Sequence, residues 1–135
     1  MIVTVDTNVL VSGVFFGGVL GAIVTAARRG VFTLAMSPLL LSELREVLSR
    51  DKFGLNPDAI QLLIDGIEAS AMIVNPRTRH QMVARDPGEN AVVDCAVESG
   101  SSYIVSGDAH LTQMREIHGI TVLTPRQFAD RLKLE

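Results

Sequence analysis

Two acids sit where a sheet could present them to a ligand. Asp6 ends the apolar run Ile2-Val3-Thr4-Val5, and Asp108 follows Tyr103-Ile104-Val105 after Ser106-Gly107. Open α/β sheets bind ligands at the carboxyl ends of their strands, so both carboxylates are expected to point into one crevice. A single strand-end aspartate also begins turns or caps helices, but two together favour the crevice.

Helical spacing adds further acids. With 3.6 residues per turn, Glu43 falls about 40° from Val47, at the rim of an apolar stripe, where it can lean toward the sheet or pair with a base such as Arg45. Glu89 projects about 40° from Val93 and about 20° from Ala96, inside the apolar face of its helix. A lone buried carboxylate is costly and needs a partner or a cation. Asn90, Asp94 and Glu98 form an i, i+4, i+8 polar stripe, so Asp94 is expected on a solvated face unless that stripe borders the crevice. Asp86, just before Pro87, fits either a helix N-cap or a support to the site.

Several carboxylates in one pocket repel one another unless a cation lies between them, and hard divalent ions choose carboxylate oxygen. The cluster therefore predicts Mg²⁺ or Mn²⁺. Such ions activate water and neutralise the charge that grows on a phosphate, so phosphodiester hydrolysis is the expected chemistry.

The elements that must hold these acids are legible in outline. Ile2 to Val5, Phe32 to Met36, Ala71 to Val74, Tyr103 to Val105 and Ile120 to Leu123 read as short buried strands. Ser37-Pro38, Asn56-Pro57 and Thr124-Pro125 are helix openings, predicting helices to about Arg50, Ala69 and Leu132. A helix from Ala22 to Arg29 is expected after a Gly-rich loop (Gly13, Gly17, Gly18, Gly21), and another from Asp86-Pro87-Gly88 to about Ser99. Pro76 to Arg85 reads as an exposed connection. Strands alternating with helices imply a three-layer α/β/α sandwich around a central parallel sheet.

The chain has 135 residues, 47% of them hydrophobic, and a formal net charge of -3, which fits one globular domain over 1–135. No apolar run approaches the roughly 18 residues of a membrane span, and no export signal is read at the N-terminus, so a cytoplasmic location without membrane is expected. Cys95 is the only cysteine, read as packing, and His80, His110 and His118 lack zinc-site spacing; any metal must be held by oxygen. The mild acidity excludes coating of nucleic acid by bulk charge but allows a local basic patch.

Four segments in order resemble the PIN-domain nuclease family, closest to its toxin-like (VapC-like) members. They are Val5-Asp6-Thr7-Asn8-Val9-Leu10, Ser37-Pro38 with Glu43-Leu44 and Val47-Leu48, Arg85-Asp86-Pro87 with Glu89-Asn90, and Tyr103 to Asp108 with Leu111. By that resemblance Asp6, Glu43 and Asp108 match the family's acidic, catalytic metal ligands, and Glu89 stands where an aspartate is usual. The third ligand could be Glu89, Asp86 or Asp94. Asn8 resembles a supporting amide, and Thr7 or Ser106 could hydrogen-bond a carboxylate. The resemblance implies a metal-dependent endoribonuclease, the toxin of a toxin–antitoxin pair, with an antitoxin partner and a homodimer expected.

Arg28, Arg29, Arg77, Arg79 and Arg85 could steer an RNA backbone, although such charges are more often plain solvated surface. With Tyr103 the sole tyrosine and no tryptophan, few stacking platforms are expected. Two rivals stand beside this reading. One is a magnesium-dependent phosphatase or receiver-like phosphotransfer domain, although Asp6-Thr7-Asn8 lacks the second acid that such phosphatases place two residues on. The other is a catalytically idle PIN-like module whose acidic crevice binds a protein.

Overall fold

The computed structural model describes residues 1–77 and 87–133. Asp86, Arg79, Arg85 and most of the expected connection from Pro76 to Arg85 lie outside these. The described strands are β1 (Ile2–Val5), β2 (Thr33–Met36), β3 (Ala71–Ile73), β4 (Tyr103–Val105), β5 (Glu116–Ile117) and β6 (Ile120–Leu123). The helices are α1 (Thr7–Phe15), α2 (Gly18–Arg28), α3 (Pro38–Leu48), α4 (Pro57–Ser70), α5 (Pro87–Ser99), α6 (Ala109–Thr112) and α7 (Pro125–Leu132), with a 3₁₀ turn at Asp51–Phe53.

β-branched and aliphatic runs with no polar alternation make strands that must be covered on both faces. The sheet order is β3-β2-β1-β4-β6-β5, all parallel except the last pair. The chain moves outward from β1 through β2 to β3, then crosses back to β4 on the other side of β1. Right-handed crossovers in opposite directions put helices on opposite faces, giving the sandwich expected from sequence. α5 lies against β1, β2 and β4, α4 against β2 and β3, and α7 against β6. The floor between them is fully buried, with Val3, Val5, Ile104 and Val105 at its centre.

The three Pro-led helix openings form as expected. Ser37 Oγ accepts from Leu40 N–H at 3.2 Å and Asn56 Oδ1 from Ala59 N–H at 2.8 Å, and Thr124 makes a reciprocal capping box with Gln127.

Three elements differ from the sequence reading. Residues 7–17, expected as part of a Gly-rich loop, are mostly the helix α1, and α2 starts at Gly18 rather than Ala22. The glycine at 13 serves close packing, not disorder: a Cβ there would lie 2.4 Å from Val24 Cγ2 and 2.5 Å from the Leu20 carbonyl oxygen. Gly18, at φ +65°, opens α2 where the chain turns by 103° between the two helices. Among the described residues no single helix is long and apolar enough to cross a membrane. The third difference is β5, a short antiparallel edge strand joined to β6 through His118 and Gly119 at φ 50° and 79°, the paired left-handed residues of a tight hairpin.

Gly13→Ala is expected to destabilise the fold by about 1–3 kcal/mol through overpacking of α1 on α2. Gly66→Ala, inside α4 where an added Cβ meets nothing within 4 Å, should instead stabilise it by about 0.4–1 kcal/mol. Urea denaturation of the two variants checks the pair, and a Gly13→Ala protein as stable as the wild type would refute the close-packing role.

Candidate metal and phosphate site

The register of two strands builds the site. β1 pairs β4 with Val5 opposite Val105, and the ladder continues through Asp6 N–H to Val105 O at 2.8 Å. β1 and β4 flank the point where the strand order reverses, the place at which open α/β sheets leave a crevice. Asp6 leaves β1 there and Asp108 leaves β4 three residues later. Both line one cleft of about 510 Å³, with Asn8, Val9 and Ser12 of α1, Leu20 of α2 and Pro125 of α7 among its walls.

Ser106 ties the two aspartates together. Its fully buried hydroxyl donates to Asp6 Oδ2 at 2.9 Å and accepts from Asp108 N–H at 3.0 Å, which leaves it one orientation. Asp108 also caps α6, its Oδ1 accepting from His110 N–H at 2.9 Å. The turn-chemistry role open to a strand-end aspartate is thus real here and coexists with a place in the cleft.

Glu89, in the first turn of α5, is only 7% exposed, as its position on the apolar face required. Its Oε2 lies 3.1 Å from His110 Nδ1. Burial first, then the neighbouring Asp108, pushes Glu89 above the usual carboxylate range, while His110 pulls the other way. Asp108 is held low, first by the hydrogen bond from Glu89 and then by the His110 backbone N–H. Of the two, Glu89 is the weaker acid and Asp108 the stronger. Asp6 is raised mainly by burial, against the Ser106 hydroxyl and the Asn8 amide that favour its charged form, with Asp108 repulsion adding to the rise.

Glu43 is half-buried on α3, and Asp94 is buried on α5; both hold side-chain interactions. The solvated face expected for Asp94 is incorrect. α5 is covered by the sheet and also by α3; of its polar stripe Asn90 is half-buried, and only Glu98, which accepts from Arg77 N–H at 2.8 Å, is fully on the surface. Thr7 does not donate its hydroxyl to a carboxylate as Ser106 does; its side chain turns into the core, and its Oγ1 has no partner among the described residues. Its backbone N–H does favour the charged form of Asp6. Arg28 and Arg29 are exposed at the far end of α2, roughly two turns from the Leu20 that lines the cleft. Arg77 is exposed. Sequence reasoning passed over His110, whose partner Glu89 is 21 residues away; its only local signal is a position two residues after Asp108.

The donor set suits a hard cation. Asp6 and Asp108 are oxygen ligands crowded at one cleft, and Mg²⁺ is commonly held by one or two carboxylates, the remaining positions going to water and substrate phosphate. Among the described residues no three His, Cys, Asp or Glu side chains form a closed cage, which that open mode does not require.

Because the folded protein holds the Asp6 proton more tightly than the unfolded chain does, this contribution to stability is complete below the ordinary value of 3.8 and lost as pH rises through the folded one. At pH 7 the ionised group is a net cost. Asp6→Asn is thus expected to raise the melting temperature of the metal-free protein by a few degrees at pH 7, the gain shrinking toward pH 4. Melting curves in EDTA across that range check this; equal stability at every pH would contradict it.

A family model described as the PIN domain matches residues 2–110, a span that includes Asp6, Glu43, Glu89, Asp108 and His110. Comparison with curated proteins finds no match. Among solved structures the chain is similar to one in the crystal structure of VapBC2 from Rickettsia felis bound to a DNA fragment from their promoter. The TM-score is 0.64 and the identity 14%, covering 92% of this chain and 98% of that one. At that identity the likeness is one of fold.

Proposed function

This chain belongs to the PIN-domain family, and from that membership and its cleft we propose that it is a Mg²⁺- or Mn²⁺-dependent endoribonuclease, the toxin of a toxin–antitoxin pair. The observation that carries the reading is the pair of aspartates lining one cleft at the strand-order reversal.

In this reading Asp6 and Asp108 hold the ion, with Glu89, Glu43, Asp94 or Asp86 completing or supporting the set. When bound, such an ion supplies an activated water and neutralises charge growing on the phosphate. The chain's own groups do the rest. Ser106 keeps Asp6 Oδ2 aimed by a hydrogen bond fixed from the other side by Asp108 N–H. His110 N–H holds Asp108 Oδ1, and the His110 ring holds Glu89. Val9, Leu20 and Pro125 narrow the cleft, and Asn8 offers an amide for a phosphate or a coordinated water. Asn8 is also where a phosphatase of the aspartate type would place its second acid, which disfavours that rival.

The sequence resemblance to toxin-like members, together with the fold shared with a chain of VapBC2, supports an antitoxin that covers the acidic cleft. A homodimer belongs to the same reading.

Purified protein incubated with single-stranded RNA, DNA and an aryl phosphate should cut RNA with Mn²⁺ and nothing in EDTA. Asp6→Asn should lower RNA cleavage at least a hundredfold with the fold intact by circular dichroism; undiminished turnover would refute the site. In calorimetric Mn²⁺ titrations, Glu89→Gln is expected to weaken binding more than Asp94→Asn, and the reverse order would move the third ligand to Asp94.

A further inference from the structure

A second groove, of about 580 Å³, adjoins the carboxylate cleft and shares Asn8 and Ser12 with it. Its volume lies within the ~300–1,000 Å³ of sites that take small organic groups. We propose that this groove is a stacking and phosphate-binding subsite for an unpaired nucleotide of the single-stranded RNA, next to the bond to be cut. The proposal rests on the ribonuclease reading above and adds to it the part of the substrate that lies off the metal.

Three rings make the groove. Phe15, at the end of α1, stacks on Phe53 of the 3₁₀ turn with centroids 4.6 Å apart and planes 8° from parallel. Phe16 meets Phe15 edge-on at 6.5 Å and is itself 66% exposed. A large aromatic left in water beside two that are packed presents a free π-face, and every nucleobase has a matching one. The break between α1 and α2 holds the ring there, because Phe16 caps α1 just before the chain turns.

The groove also concentrates positive charge on a chain whose net charge is negative. Lys52 Nζ stands 5.2 Å over the Phe53 ring, and Arg50 lines the same wall. Among the described residues Arg50 is engaged by Glu46, at 3.4 Å across an exposed i, i+4 pair; such pairs contribute little and exchange readily for a phosphate. Stacking faces with flanking cations, continuous with an anionic metal cleft, match a nucleotide strand threading from one to the other. An apolar helix of a partner protein would use the rings but gain nothing from the two cations.

The test separates binding from cleavage. Full-length Asp6→Asn protein in EDTA is titrated with a short single-stranded RNA carrying 2-aminopurine, whose fluorescence falls when it stacks. Binding with quenching is expected. Phe16→Ala and Phe16→Leu in that background should weaken it by roughly 5- to 100-fold and abolish the quench, the loss expected for one base–aromatic stack, whereas Phe16→Trp should retain both. Arg50→Gln and Lys52→Gln should each reduce the slope of log affinity against log salt by about 0.7. Leu62→Ala, an equally bare apolar residue on α4 at 73% exposure, should change nothing. Melting curves of all variants guard against misfolding. Phe16→Leu binding and quenching like its parent would overturn the proposal and leave the groove to a protein partner, as would absence of RNA binding. If the groove variants lose binding but wild-type protein cuts no RNA, the subsite stands and the ribonuclease reading fails alone.

Discussion

Like-charged carboxylates brought together at the end of a parallel sheet are the constraint on which the rest of this molecule depends. The Val5–Val105 register and the Asp6 to Val105 backbone bond leave Asp6 beside the turn that carries Asp108. Burial and a neighbouring like charge both disfavour an ionised carboxylate, and at Asp6 burial is the larger of the two. Glu89 and Asp6 are both raised, mainly by burial, with Asp108 adding to each. A bound cation would oppose both shifts. Ser106, Asn8 and the His110 backbone favour charge at fixed places.

The helices around the sheet turn that local fact into an accessible site. α1 starts directly from Asp6, and its Val9 and Ser12 become a wall of the cleft. Gly13 lets α2 approach closely enough for Leu20 to form the facing wall. The same α1, followed to its end, carries the phenylalanines that extend the surface away from the acids. One helix thus runs from the carboxylate cleft to the aromatic groove.

Much of this was legible in sequence, for identifiable reasons. Continuous β-branched runs mark strands buried on both faces, and Ser37-Pro38, Asn56-Pro57 and Thr124-Pro125 carry capping chemistry that needs no tertiary context. That Asp6 and Asp108 share a cleft was legible because strand ends of an open sheet face its crevice, and the burial of Glu89 because it falls on the apolar face of its helix. Most of the misses come from contact between distant segments. Gly13 looks like a loop former until α2 is seen to cross it. Asp94 sits on a polar stripe but is buried where α5 packs on the sheet and α3. The β5 hairpin was missed for a local reason, since His118-Gly119 is an uncommon turn. His110 gains meaning only from Glu89. The groove has no local signal, because Phe15, Phe16 and Phe53 come from two segments that meet only in the fold.

The most direct test is anomalous diffraction at the manganese edge from crystals soaked in Mn²⁺. A peak within about 2.0–2.3 Å of carboxylate oxygens of both Asp6 and Asp108 is the result this account predicts. Density showing the two aspartates and Glu89 arranged as in the metal-free protein, with manganese absent or bound away from the cleft, would contradict it.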